Sequence, residues 1–206
     1  MSLYDRYILS PMIDRMCGTR EVMDIRREVV PEAVGDVLEL GMGSGLNLGL
    51  YDPDKVRRVV GVDPGEHITA LARDRMAAAP FEVELIGLSG EAVPADDHSF
   101  DSAVVTFTFC TIPNVHRAMA EVRRLLKPGG KLYFAEHGLS PDPKIARWQQ
   151  RINPLWKVLA GGCHINRDTR KLLEDGGFRI TDVRQNHAMQ GPKIATWVTR
   201  GVAEVR

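Results

Sequence analysis

Two acidic residues, Glu39 and Asp63, each end a predicted apolar strand, and a glycine-rich turn follows the first of them. In the stretch VLELGMGSG, the glycines Gly41, Gly43 and Gly45 come at the point where a missing side chain lets the backbone pass close to a ligand. Glu39 could accept hydrogen bonds from a cationic amino-acid ligand. Asp63 could accept a pair of hydrogen bonds from the two hydroxyls of a ribose. We therefore expect these acids to bind a nucleoside that carries an amino acid and no phosphate.

Other uses of a glycine turn fit this sequence less well. A dinucleotide fingerprint, GxGxxG, would need glycine at position 46, where Leu46 stands. No lysine follows the turn, as a Walker-type phosphate loop would require. A nicotinamide-dependent oxidoreductase stays open as an alternative on the strand, the turn and Asp63, and so does a turn that only makes a tight connection.

Two histidines are candidates for catalysis. His137, in the run FAEH, ends the fifth predicted strand and should face the carboxyl edge of the sheet, where ligands of open α/β folds bind. We predict that it acts as a base or an orienting group, the alternative being a histidine that hydrogen-bonds the backbone at a strand end. His164, in the loop GGCHIN, is the second candidate, against a solvated loop histidine.

The three cysteines, Cys17, Cys110 and Cys163, are an odd number without CxxC or Cys/His metal spacing. This pattern argues against a disulfide framework and a structural zinc site, and we predict no metal. We interpret the buried ones as small hydrophobic residues rather than nucleophiles. A reducing, cytoplasmic setting is the expectation.

Composition limits the partners. The chain has 206 residues, enough for one domain, and its 27 Lys and Arg balance 27 Asp and Glu. No basic stripe with interleaved aromatics is present, so we expect no nucleic-acid partner; Arg26-Arg27 and Arg123-Arg124 are interpreted as solvated helix faces. The first twenty residues are interrupted by charges and a proline, which predicts neither a signal peptide nor an integral membrane segment. The sequence does not indicate an oligomeric state.

Strand-like and helix-like runs alternate along the chain, which predicts an α/β fold: a doubly wound, mostly parallel seven-stranded sheet that ends in an antiparallel hairpin. The predicted strands are Asp36–Leu40, Val56–Asp63, Phe81–Leu88, Asp101–Phe107, Lys131–His137, Arg179–Arg184 and Lys193–Thr199. The predicted helices between them are Leu46–Leu50, Glu66–Ala79, Val115–Leu126 and one near Arg167–Glu174.

The remaining segments complete a single domain. Residues 1–34 are predicted to be two helices that cap the carboxyl edge, 36–137 to be a ligand-binding core, 138–166 an insert, and 167–206 a last helix and strands. The insert suggests a helix broken at Pro154. Its Trp148 and Trp156 are assigned to core packing, or alternatively to the lining of a site for an apolar molecule.

The runs ELGMGSG, GVDP, SGEAVPADDHSFDSAVV and LLKPGGKLYFAEH, in this order over about residues 36–137, resemble the motifs of the class I S-adenosylmethionine-dependent methyltransferases. The resemblance implies S-adenosylmethionine as the cofactor and S-adenosylhomocysteine as its product. It adds Pro64 to the cofactor site and places Ser89, Gly90 and Glu91 against adenine, although Ser89 replaces a common acidic residue. Thr106 and Phe107 would lie near the methionine part, or be ordinary strand residues.

More specific stretches, GSGLNLGLYD, FTFCTIPN, WQQRINPLWKVLAGGCHINRDTRKLL and GPKI, resemble the alkyl-thiol methyltransferases of the methyltransferase-like 7 group. This resemblance implies a small, lipophilic methyl acceptor, with a thiol favoured. That group's membrane-embedded N-terminal segment is not found in the sequence, so its lipid-surface location is not transferred. Methylation of a quinone precursor or a phospholipid headgroup, or cofactor binding without turnover, are the alternatives.

Overall fold

A single sheet of seven strands organises the molecule. The computed structural model describes residues 10–206, apart from the side chains of Ser10, Ile13, His67 and Ile68. The strand order is β3-β2-β1-β4-β5-β7-β6, and β7 runs antiparallel to both of its neighbours. This arrangement confirms the predicted fold class. The strands are β1 Gly35–Leu40, β2 Val56–Val62, β3 Glu82–Ile86, β4 Phe100–Thr106, β5 Leu126–His137, β6 Phe178–His187 and β7 Trp197–Val205.

Helices cover both faces of the sheet. Among residues 10–206, none has both the length and the apolar character that crossing a bilayer would require. The helices are α1 Ser10–Cys17, α2 Arg20–Arg27, α3 Glu66–Thr69, α4 Arg73–Ala77, α5 Val115–Leu125, α6 Pro143–Leu159 and α7 Thr169–Asp175, with short 3-10 turns at Val30–Glu32 and Ala70–Ala72.

The core consists of two layers because neighbouring strand residues point to opposite faces. Leu38 packs in the layer that contains α5, whereas Val37 packs in the layer formed by α2 and the segment after it. The buried positions of α5 recur at helical spacing, which is the stripe that the sequence pattern predicted. They are Val115, Ala118, Met119, Val122 and Leu125.

Three predicted helices differ in the structure. Residues Leu46–Leu50 form successive turns instead of a helix, with Leu48 N donating to Gly45 O (3.1 Å) and Leu50 N to Asn47 O (2.8 Å). The predicted helix Glu66–Ala79 is divided into α3, a 3-10 turn and α4. By contrast, α6 continues through Pro154, because the carbonyl that proline leaves without a partner belongs to the exposed Gln150.

The last strand begins four residues later than predicted. Ala195 N donates to Pro192 O (2.9 Å), so a turn occupies the start of the predicted strand. The paired strand then passes through Gly201, where a Cβ would lie 2.1 Å from Asp182 O. The part of this strand after Thr199 was not predicted, because the run RGVAEVR contains charged residues and a glycine and does not show clear apolar alternation. At the start of α7, Asp168 caps the helix by accepting from Lys171 N.

Residues 10–34 include the two predicted N-terminal helices, while residues 1–9 of the predicted cap lie outside the described part of the chain. Asp14 of α1 accepts hydrogen bonds from Ser44 Oγ, in the glycine-rich turn, and from Arg75 (3.2 Å). Arg75 also donates to Ser44 O at 2.6 Å. These bonds hold α1 against the glycine-rich turn at the carboxyl edge of the sheet.

Candidate active site

The glycine turn, Gly41–Gly45, follows β1 at the carboxyl edge. Gly41, Gly43 and Gly45 have φ angles of +75°, +54° and +76°, in the region that favours glycine. A Cβ on Gly41 would lie 2.2 Å from the side chain of Thr108. The turn therefore needs glycine for its backbone conformation and, at Gly41, for the close approach of the segment after β4.

Asp63 joins the end of β2 to this turn. Its Oδ2 accepts from Gly43 N (2.9 Å) and its Oδ1 accepts from Gly65 N (2.8 Å). Burial raises the pKa of Asp63, although these two backbone bonds act in the opposite direction. Each carboxylate oxygen keeps a further lone pair, so the group can still accept from a ligand. Pro64, the next residue, is exposed.

Glu39, at the end of β1, is buried to 1% exposure. Asn47 Nδ2 donates to one of its oxygens (2.9 Å) and Tyr51 OH to the other (2.8 Å). Burial raises the pKa of Glu39 to about 7, against these hydrogen bonds and the charge of Arg26. Asn47 and Tyr51 were not among the predicted site residues. Both lie in the run GSGLNLGLYD, one of the stretches that resemble the alkyl-thiol methyltransferases.

Arg26 is the main correction on this side of the site. It was interpreted as part of a solvated helix face, yet it is buried to 6% exposure. Its Nη1 donates to Asn47 Oδ1 (2.9 Å) and to Thr106 Oγ1, while its Nε is buried without a partner among the described residues. The side chain extends inward because α2 lies across the sheet edge. The signal was its place beside Val22 and Ile25 on one helical face.

Thr106 and Phe107, at the end of β4, both lie at this edge. Thr106 Oγ1 accepts from Asn47 Nδ2 (3.0 Å) as well as from Arg26. Phe107 has a φ of +54°, rare for a residue with a side chain. Its ring lies 5.2 Å from the guanidinium of Arg26 and stacks on the ring of His137 at 6.5 Å between centroids. Phe107 thus connects the acidic side of the site to His137.

The segment after β3 holds the residues expected near adenine. Gly90 is buried, and a Cβ there would lie 2.1 Å from Leu40 Cδ1. Glu91 accepts from Asn114 N (2.9 Å), immediately before α5, and Ser89 is exposed. The close contact of Gly90 with β1 explains the need for glycine at this position.

The structure brings Cys110, His137 and Cys163 together in a group that we call the thiol cluster. The sulfur of Cys163 lies 3.1 Å from His137 Nε2, and the ligand atoms of all three residues lie within 4.8 Å of one another. Cysteine and histidine spacing in the sequence argued against a metal site and gave no sign of this group. It is formed by a loop after β4, the end of β5 and the loop between α6 and α7.

The members of the thiol cluster shift one another's pKa values. The neighbouring Cys110 thiol lowers the pKa of Cys163, and the hydrogen bond and charge of His137 act in the same direction. Burial lowers the pKa of His137, but its bond to Cys163 and the charge of that thiolate raise it overall. His137 therefore favours the ionised form of Cys163, which also packs with Cys110 and Ile165 in a small apolar cluster.

Glu136, which was not among the predicted site residues, holds the loop that carries Cys110 of the thiol cluster. Its Oε1 accepts from Thr108 N (2.7 Å) and Phe109 N (3.1 Å), so it fixes the loop that leads to Cys110. Burial raises its pKa to about 7. It directly follows the apolar residues Phe134 and Ala135 of β5, so the run FAEH is the visible signal of a buried strand acid.

His164 lies beside the cluster but its ring points elsewhere. Its Nδ1 lies 3.5 Å from Asn153 Nδ2, and its backbone N donates to Cys110 O (2.8 Å). Burial lowers the pKa of His164, as do the charges of nearby cations. Trp148 is 58% exposed, so its assignment to the core was wrong, whereas Trp156 packs against Cys110 and Cys163.

Comparisons with known proteins agree with this geometry. Residues 38–134 match the profile of a family described as "Methyltransferase domain". A thiol S-methyltransferase, TMT1B of Rattus norvegicus, is 34% identical over 146 residues, covering 69% of this chain and 59% of the relative. A demethylmenaquinone methyltransferase of Thermus thermophilus is 32% identical over 128 residues, covering 62% and 56%. The chain thus spans about three fifths of the length of these relatives.

A solved structure shows the same fold. It is that of an S-adenosylmethionine-dependent methyltransferase from Thermotoga maritima, with a TM-score of 0.66 at 21% identity, covering 98% of each chain. The sheet order described above, the family match and the relatives confirm the resemblance that the motifs indicated. Residues 38–134 thus match a methyltransferase-domain family, and the chain has the fold of the class I S-adenosylmethionine-dependent methyltransferases.

Proposed function

We propose that this protein transfers the methyl group of S-adenosylmethionine to a small lipophilic thiol. The observation that carries the proposal is the placement of Glu39 and Asp63 at neighbouring strand ends, on the two sides of the glycine turn. The family match and the named thiol S-methyltransferase relative support the reaction and the acceptor class. The product left by the cofactor is S-adenosylhomocysteine.

The residues present fit this cofactor. Glu39, buried and with a pKa raised to about 7, suits a ligand whose cationic amino group favours the ionised carboxylate. We assign Asp63 to the ribose hydroxyls, with the turn glycines and Pro64 beside it. Ser89, Gly90 and Glu91 would lie against adenine and Thr106 and Phe107 against the methionine part. We assign Arg26, which is buried and feels the charges of Glu39 and Glu136, to the carboxylate of that part.

When bound, the cofactor supplies a methyl group on a positively charged sulfur, so the chain mainly has to position an acceptor in line. A free thiol has a pKa near 8.5, and only ~3–10% of it is thiolate near neutral pH. A base or a cation near the acceptor would raise that fraction. His137, partly exposed and stacked on Phe107, is the side chain that we assign to this role.

Exposed apolar side chains on α1 and α6 support a lipophilic acceptor. On α6, Leu155, Val158 and Leu159 are 63%, 78% and 64% exposed, and on α1 Met16 is 60% exposed. We propose that the acceptor enters between these two elements. Exposed apolar surface of this kind is typical of sites that receive an apolar molecule.

The test is transfer of labelled methyl from S-adenosylmethionine to a panel of alkyl thiols, quinols and amines. The proposal predicts product with alkyl thiols, rising with chain length and dependent on the intact protein. Product with none of the three classes would contradict the activity. Product with quinols alone would favour the second candidate, methylation of a quinone precursor, for which the demethylmenaquinone methyltransferase relative is the supporting observation.

A further inference from the structure

The thiol cluster has the composition of a metal site. Two sulfurs and one imidazole nitrogen lie within 4.8 Å of one another, and the sulfurs are the soft donors that favour zinc-like cations. In a tetrahedral zinc site, with zinc about 2.3 Å from sulfur and 2.0–2.1 Å from nitrogen, donor atoms lie roughly 3.5–3.8 Å apart. The cluster would reach this spacing by side-chain shifts of about 1 Å or less.

The backbone around the cluster fixes its members independently of any ligand. Glu136 accepts two amide hydrogen bonds from the loop that leads to Cys110. The carbonyl of Cys110 in turn accepts from His164 N (2.8 Å), which ties the two cysteine-bearing loops together. His137 is the last residue of β5. Three segments distant in sequence are thus held in place, as a preorganised binding site requires.

A buried donor also faces the cluster. Trp156 Nε1 is buried without a partner that meets hydrogen-bond geometry among the described residues. The indole packs against the cysteines. A thiolate held by a cation would keep its negative charge next to this N–H, which is how surrounding donors orient metal ligands.

We infer that Cys110, His137 and Cys163 bind a divalent cation of the zinc class, and that its fourth ligand is the sulfur of the acceptor thiol. The inference rests on the proposed function for the identity of that fourth ligand, and in it the cation that His137 helps to hold, rather than His137 itself, raises the thiolate fraction of the acceptor. Catalytic zinc sites have three protein ligands and one exchangeable position, which is the number of ligands found here. On coordination the S–H bond of the acceptor breaks heterolytically: its electron pair stays on the sulfur, the sulfur donates a lone pair to the cation, and the proton goes to solvent.

Metal binding is tested with the reduced full-length chain under nitrogen, using cobalt(II) as a coloured probe and zinc(II) as its competitor. One equivalent of cobalt should bind and give the intense near-ultraviolet absorption of a thiolate ligand, and zinc should displace it. Cys163→Ser and His137→Gln should each weaken binding by more than about tenfold. A wild-type chain that binds neither ion, or binds without thiolate absorption, overturns the inference.

Cys17→Ser is the matched control, because Cys17 is a free cysteine outside the cluster. It should bind cobalt with the same absorption, and loss of that absorption would overturn the three-ligand assignment. Thermal melting of each variant distinguishes a lost ligand from a lost fold. If Cys163→Ser does not fold, His137→Gln decides the question alone.

The fourth ligand is tested by adding an alkyl thiol, or the alcohol of equal chain length, to the cobalt-loaded protein. The thiol should increase the thiolate absorption and the alcohol should not. A spectrum that neither compound changes overturns the assignment of the fourth position. Metal-stripped protein that methylates thiols at the full rate would overturn this inference and leave the proposed function intact, since cofactor binding is measured separately.

Discussion

The two sides of the carboxyl edge are built in different ways. The cofactor side, at the ends of β1 and β2, uses backbone amides, glycines and two carboxylates from one stretch of about thirty residues, Gly35–Gly65. The thiol cluster uses only side chains, from two loops and the end of β5, and these members are 26 or more residues apart along the chain. Such a local backbone site leaves a recognisable motif, whereas a site made of distant side chains leaves none.

This difference also concerns charge. On the cofactor side a buried acid, Glu39, is held by neutral donors, Asn47 and Tyr51, and its pKa is raised to about 7. In the thiol cluster, a thiolate and an imidazole stabilise each other's charged forms. The first arrangement suits a cationic ligand that arrives from solution, and the second carries its own counter-charge.

The largest effect is expected from a substitution that disturbs only the backbone of the glycine turn, on the cofactor side. Gly41→Ala adds a Cβ 2.2 Å from the Thr108 side chain at a φ of +75°, which should cost about 2–4 kcal/mol in unfolding free energy and abolish cofactor binding. Urea unfolding and calorimetry measure the two effects. Gly49→Ala, where a Cβ meets nothing within 4 Å, should differ from wild type by less than about 0.5 kcal/mol. Equal effects of the two substitutions would contradict the assigned role of the turn.

Arg26→Met tests whether the cap helix α2 belongs to the cofactor side. The substitution removes the hydrogen bonds to Asn47 and Thr106 and the cation near Glu39, so stability should fall by about 1.5–3 kcal/mol and cofactor affinity should fall with it. Arg27→Met, at the exposed neighbour, is the control and should change neither quantity. Cofactor affinity equal to that of wild type in a folded Arg26→Met protein would place Arg26 outside the site.

A smaller effect, the pH dependence of cofactor binding, follows from Glu39. Its pKa of about 7 means that the carboxyl is increasingly protonated as pH falls below 7, and a cationic ligand binds the ionised form. Arg26 and Asp63 are the charged groups that face it. Affinity should therefore fall from pH 7.5 to 5.5, by up to about tenfold per pH unit, while the ligand's own amino group stays protonated.

Calorimetric titrations across this range measure the dependence. Glu39→Gln should bind more weakly and lose most of the pH dependence, because the group that titrates is gone. Variants of His137, in the thiol cluster, should keep the pH dependence of cofactor affinity. That result would show that the cofactor side and the thiol cluster titrate independently. An affinity that rises as pH falls would contradict the assigned role of Glu39.

The sequence predicted most of the sheet and the cofactor side because both depend on local patterns. Strands β1, β2 and β4 are apolar runs, and the glycine turn and Asp63 directly follow two of them. Arg26 and Glu136 were missed because a charged residue is normally exposed, and only the packing of distant elements buries it. The thiol cluster was missed because Cys110, His137 and Cys163 meet only after α6 and the loop beyond it fold against the ends of β4 and β5.

The most direct test of the central claim is a calorimetric titration of S-adenosylhomocysteine into the wild-type chain and into Asp63→Ala. The wild-type chain should bind S-adenosylhomocysteine in about the micromolar range. The folded Asp63→Ala variant should bind it more weakly by ~1–3 kcal/mol, because hydrogen bonds to a charged acceptor are lost. A wild-type chain that binds nothing at millimolar ligand, or an unchanged dissociation constant in the variant, would contradict the assignment of this edge to the cofactor.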